Sequence, residues 1–359
     1  MQRRGWRKMV DVRVGVAVLV LALAVALAAT RFSFLQGAAP LGGAGSRPAP
    51  ALTGIDAWIN SPPLQLDQLR GHVVWVDFWT YSCINCLRTL PFVKSMYARY
   101  HGAGLDIVGI HSPEFDFEKV ESNVRAAVAR YSLPYPVALD NEMTMWRAYR
   151  NNEWPHVYLI DRLGRIRYDV AGEGADGLLE KDVRALLAPA TLPSPLSPSV
   201  SLPGSDTTQE IYVGYDKGRY FASIGNPEGF RPDQVVDYAP VPRDRITLAG
   251  TGGVVFLQGK WRNEREYIEA AEPGARLTLQ FRARNVFIVA SPASGTASVR
   301  VFLDDEPVPS SEVGEDAREG IVQVDRQDLF RVIRLPSQQT HRITLETGPG
   351  FRLYTFTFG

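Results

Sequence analysis

At 359 residues, with 45% apolar and 22% charged residues, the chain has an ordinary globular composition and length enough for two domains. Lys plus Arg and Asp plus Glu balance at 39 each, which argues against a nucleic-acid or polyanionic partner. Its two cysteines are too few and too close together to act as the disulfide framework of a secreted domain.

Arg3, Arg4, Arg7, Lys8 and Arg13 precede the uncharged run VGVAVLVLALAVALAA at residues 14–29. A basic segment followed by an apolar one predicts that residues 1–35 form a signal peptide or a retained membrane anchor. The basic flank also predicts that the remainder of the chain lies outside the cytoplasm, on the periplasmic or extracellular face. Residues 36–50, rich in Gly, Ala and Pro, read as a flexible tether.

Residues 51–190 alternate between strand and helix patterns. The run VVWVDFW at 73–79 predicts a central strand buried on both faces. Helical spacing follows at 87–100, a strand at 105–110 and a helix around 118–130. A short strand at 135–138, a short helix at 143–149 and a hairpin at 157–160 and 166–170 come next, closed by a helix at 177–187. This order predicts an α/β domain with a mixed sheet. Residues 191–208, dense in Pro and Ser, read as a linker. Residues 209–359 carry short alternating runs between Gly and Pro turns, the pattern of an all-β sandwich or jelly roll.

Cys83-Ile84-Asn85-Cys86 stands where the central strand hands over to the first helix. A thiol at a helix N-terminus meets free amides and the positive end of the dipole, which favour the attacking thiolate. Cys83 is therefore the expected nucleophile. Cys86, one turn further in, is expected to resolve the mixed disulfide and close a Cys83–Cys86 disulfide. Asp77, inside the apolar strand, is expected to have a raised pKa and to take the Cys86 proton. Trp154-Pro155 precedes a strand, and a cis bond there would expose backbone to a peptide substrate. His111, Glu114, Trp79, Tyr81 and Trp154 are the candidate substrate-contacting residues around the thiol. For Asp77 the alternative is a strand-end carboxylate, for Pro155 a loop proline, and for Trp79 and Tyr81 plain packing. His111 has the further alternative of a surface loop. A zinc site, with His111 and His156 completing a Cys₂His₂ set, is a competing reading of the cysteine pair. A c-type haem would need His after Cys86, where Leu87 stands. No cofactor or metal is expected.

The run VDFWTYSCINC with Trp154-Pro155 resembles the thioredoxin superfamily, whose active site is V-D-F-W-A-x-x-C-x-x-C with a distal cis-proline. WTYSCINCLRTLPFV, IHSPEF, YPVALDN, WRAY and the terminal YTFTFG look more narrowly like the TlpA-like domain of DipZ-type proteins. That resemblance implies roles for Cys83 and Cys86 as the attacking and resolving thiols, for Asp77 as the buried acid and for Pro155 as the cis-proline. It also implies a C-terminal β-domain similar to carbohydrate-binding modules, with a glycan or cell-wall ligand for 209–359. Trp261 and Tyr267 are the candidate stacking residues, with core or rim packing as the alternative. The resemblance further implies client proteins with disulfides. DipZ proteins carry a polytopic membrane domain, whereas this sequence has a single apolar stretch. The expected electron donor is therefore a CcdA- or DsbD-like membrane partner in trans. Thiol peroxidases use P-x-x-x-T-x-x-C, and Val76 occupies the proline position. Two competing functions remain: a copper chaperone of the Sco kind, although its C-x-x-x-C is one residue longer, and a glycan-binding module carrying a redox domain.

Overall fold

The computed structural model describes residues 46–196, 206–220, 223–246 and 253–359. The expected signal or anchor segment lies outside the described residues. Among those described, no helix is long and apolar enough to cross a membrane.

Seven strands build the first sheet: β1 (Arg47–Pro48), β2 (Ala57–Ile59), β3 (Val73–Trp79), β4 (Leu105–His111), β5 (Val137–Leu139), β6 (His156–Ile160) and β7 (Arg165–Ala171). Their order is β1-β7-β6-β3-β4-β5-β2. β3 runs parallel to β4 and antiparallel to β6, so the sheet is mixed, as the hairpin pattern implied. Every residue of β3 is buried because both faces are covered. Val73, Trp75 and Trp79 pack with α1 (Ile84–Tyr100), α2 (Glu121–Arg130) and α4 (Asp176–Leu187), while Val74, Val76 and Phe78 pack with α3 (Thr144–Tyr149). The two-residue period of a strand puts Asp77 in the phase of Trp75 and Trp79, on the α1 side. Because β3 and β4 are parallel, their carboxyl ends share one edge, where ligands approach an α/β sheet.

The expected flexible tether is corrected at its C-terminal end. Arg47 and Pro48 pair with Arg165 and Ile166 of β7, and the Arg165 guanidinium bonds Ser46. Pro48 is tolerated there because β1 is an edge strand. Both ends of the expected linker are also held. The Leu196 N–H donates to the Glu180 carboxylate at 2.9 Å, and Thr208 exchanges two hydrogen bonds with the Arg282 backbone.

The C-terminal part is all-β. β8 (Ile211–Tyr212), β9 (Val235–Tyr238), β10 (Val255–Asn263), β11 (Ile268–Ala270) and β12 (Ala275–Pro292) come first. β13 (Ala297–Leu303), β14 (Glu306–Pro307), β15 (Ala317–Arg318), β16 (Ile321–Val324), β17 (Asp328–Thr347) and β18 (Phe351–Phe358) follow. Their hydrogen bonds join all eleven into one sheet that folds back on itself, with β12 pairing β10 early and β18 late. Register shifts between Ala283 and Phe287 mark the bend. Burial along β12 changes there too: it alternates up to Ala283, then runs unbroken from Val286 to Ser291. The cause is cover from the α/β part, whose core Val289 and Tyr354 join.

Candidate active site

Trp79 ends β3, and Thr80-Tyr81-Ser82 turn the chain into α1. Cys83 is the N-cap of that helix (φ −84°, ψ 111°), and its Sγ accepts the Cys86 N–H at 3.2 Å. This is the capping position in which a polar side chain satisfies a free helix amide. Both thiols are free in the structure, with the Sγ atoms 2.6 Å apart. Cys83 is half-buried, whereas Cys86 is sealed in the core. Burial pushes the Cys86 thiol well above its ordinary value, with the Cys83 sulfur and the Asp77 carboxylate adding to the effect. Asp77 is buried on β3, and its Oδ1 finds no hydrogen-bond partner among the described residues. Burial alone raises its carboxyl to about 7. One accessible sulfur thus stands in front of a buried thiol and a buried acid whose titrations are electrostatically linked.

The candidate rim is rearranged. Trp79, Tyr81 and His111 are each no more than 1% exposed and present no surface to a substrate. The Tyr81 ring stacks on His111 at 5.7 Å, Trp79 meets His111 edge-on, and the Tyr81 hydroxyl donates to Gln327 O of the C-terminal part. His111 is therefore a core histidine. Burial lowers its pKa to about 3, and its Nε2 lies 3.3 Å from Thr80 Oγ1. Glu114 is engaged by the C-terminal part, accepting hydrogen bonds from Lys217 Nζ at 2.6 Å and Tyr212 Oη at 2.7 Å. Trp154 stays half-exposed at the same sheet edge, its Nε1–H donating to Ser112 O at 3.1 Å. The Trp154–Pro155 bond is cis and Pro155 is buried. His156 is engaged by Asp169 and Tyr158, on a different cluster from the cysteines. Trp261 is fully buried and Tyr267 packs on Tyr354, which leaves both in core or junction packing.

Two features carry no sequence signal. Glu118 is a fully buried carboxylate that accepts hydrogen bonds from Ser82, the residue before the nucleophile. The second is a cavity of about 320 Å³ beside the first turn of α1, lined by Ile84, Leu87 and Arg88 on one wall and Phe287, Leu329 and Arg331 on the other. Its second wall comes from residues some two hundred positions away.

Residues 46–169 match the AhpC/TSA family and residues 208–359 match the thioredoxin-like C-terminal domain. Protein DipZ of Mycobacterium tuberculosis is 36% identical over 335 residues, covering 90% of this chain and 44% of DipZ. The chain therefore spans less than half the length of that relative. The thiol-disulfide oxidoreductase YkuV of Bacillus subtilis is 27% identical over 142 residues, 40% of this chain and 95% of YkuV. A solution structure of a thioredoxin-like protein in its oxidized form covers 40% of this chain and 96% of its own, at 28% identity and a TM-score of 0.37.

Proposed function

We propose, starting from a chain that belongs to the thioredoxin superfamily of thiol–disulfide oxidoreductases, that it reduces disulfides of client proteins outside the cytoplasm. The observation that carries this is the asymmetry of the pair: Cys83 is reachable, and Cys86 is sealed in the core within the electrostatic reach of Asp77.

In the proposed cycle the Cys83 thiolate attacks one sulfur of a client disulfide. A mixed disulfide forms and the first client thiolate leaves. Asp77 takes the Cys86 proton, and the Cys86 thiolate then attacks Cys83 Sγ, releasing the second client thiolate. The client gains two electrons, and the enzyme is left with a Cys83–Cys86 disulfide. A dithiol donor must reduce that bond for turnover, and a membrane protein of the CcdA or DsbD kind would supply those electrons. The basic flank of the apolar stretch at residues 14–29 supports the extracytoplasmic assignment, tethered or released. Pro155 and Trp154 form the edge on which the client backbone would lie. Residues 51–190 are taken as the redox domain and 209–359 as a β-sandwich domain of the carbohydrate-binding-module kind. Any glycan ligand there must stack on residues other than Trp261.

Cys83→Ser is expected to abolish insulin-disulfide reduction by the full chain with dithiothreitol as donor. Undiminished turnover by that variant would sink the mechanism.

A further inference from the structure

We infer that Glu118 is a positioning residue for the Cys83 nucleophile, holding the Ser82–Cys83 turn against the loop that anchors the C-terminal sheet. This rests on the redox role proposed for Cys83. Glu118 sits in the one-turn 3₁₀ helix Asp116–Lys119, three residues after buried Phe115 and so on the same face. It is fully buried, where an apolar side chain would be the ordinary choice. Its two oxygens divide their work. Oε1 accepts the Ser82 hydroxyl at 2.6 Å and the Ser82 N–H at 3.3 Å. Oε2 accepts the N–H groups of Glu114 at 2.6 Å and Phe115 at 3.1 Å.

The residues on the second oxygen are the ones that grip the C-terminal part. The Glu114 side chain pairs with Lys217 at 2.6 Å and accepts from Tyr212, and the Phe115 ring meets Tyr354 edge-on at 5.1 Å. One carboxylate therefore joins the residue before the nucleophile to the junction between the two sheets. Burying a carboxylate is costly, and a loop that needed only to be stable would be served better by apolar contact. Costs of this kind are kept where geometry matters for chemistry. Glutamine is no full substitute here, since whichever way its amide turns the N–H₂ faces at least one N–H donor, of Glu114 and Phe115 or of Ser82.

Burial raises the Glu118 carboxyl to about 7, with the Glu114 carboxylate adding and the Ser82 and Thr80 hydroxyls opposing. The other titratable group that senses it is the Tyr81 phenol, which burial holds protonated. As pH falls through neutrality Glu118 gains a proton, loses acceptor capacity and loosens its hold on Ser82.

The test is the rate of Cys83 alkylation by iodoacetamide between pH 5 and 9, in the full chain carrying Cys86→Ala so that one thiol reacts. Adding Glu118→Gln is expected to slow alkylation about tenfold at pH 8, the equivalent of one lost hydrogen bond to a charged group. It should also erase an inflection near neutrality that the parent profile shows. Alkylation at the parent rate at every pH overturns the inference. So does a uniform slowing with the pH profile unchanged, which would mark a purely structural role. Ser82→Ala removes one of the two shortest of the four bonds and is expected to slow alkylation about threefold; it decides the matter should Glu118→Gln not fold, and a parent rate overturns the inference. Alkylation needs no client, so failure of the wild-type chain to reduce insulin would count against the redox reading and leave this test legible.

Discussion

Asp77→Asn separates what a buried carboxylate costs from what it does. Burial raises the carboxyl from 3.8 to about 7 in the folded protein, while the unfolded chain keeps the lower value. A carboxyl raised on folding leaves the native state unpenalised below the unfolded value, penalises it increasingly between the two values and by a constant amount above the folded one. At 1.36 kcal/mol per unit, the penalty is about 2 kcal/mol at pH 5 and about 4 kcal/mol at pH 8.5. Asparagine removes this penalty but places an amide where Oδ1 already lacks a partner, at a cost of about 1–3 kcal/mol. Asp77→Asn is therefore expected to be more stable than the parent by about 1–3 kcal/mol at pH 8.5, and within about 1 kcal/mol of it at pH 5. Guanidinium unfolding of the reduced protein at the two pH values, followed by tryptophan fluorescence, measures both numbers. The same substitution should slow insulin reduction about 10²-fold by removing the acceptor of the Cys86 proton. Equal stabilisation at both pH values, or none at pH 8.5, would refute the burial account of Asp77. Unchanged turnover would refute its role as base.

Cys86→Ser keeps the attacking thiol and removes the resolving one, so envelope extracts incubated with it should yield mixed disulfides that dithiothreitol releases; their absence, with Cys83 shown to be reactive, would count against protein clients. Tyr354 packs on Phe115, Phe117 and Tyr267 at 4.9–5.1 Å, so Tyr354→Ala should cost about 3–4 kcal/mol. Calorimetry is expected to show a single transition for the parent and two for this variant. An unsplit, unshifted transition would mean that the junction does not couple the two sheets.

The geometry of the proposed redox centre was legible because its parts are local or periodic. VVWVDFW reads as a strand buried on both faces, and its two-residue period alone places Asp77 on the side of Trp75 and Trp79, toward the helix that Cys83 opens. The spacing of Cys83 and Cys86 needs only one helical turn. Trp154-Pro155 was found through its resemblance to a family pattern rather than by periodicity.

The rim was not legible, and the reason is sequence distance. Tyr81 looks exposed beside a thiol until Gln327, 246 positions away, accepts its hydroxyl. Glu114 looks like a substrate contact until Lys217 and Tyr212, about a hundred positions on, claim its carboxylate. Glu118 escapes local reading because its partners are three backbone amides and the hydroxyl of Ser82, 36 positions earlier, which leave no mark on composition. In each case the C-terminal sheet, or the loop that it holds, converts a surface side chain into a structural one. The residues left to face a client are then Cys83, the Trp154 edge and the cavity between Ile84 and Phe287. Under the proposed function, client selection would rest on a cleft whose far wall belongs to the C-terminal sheet rather than on the aromatic residues flanking the cysteines.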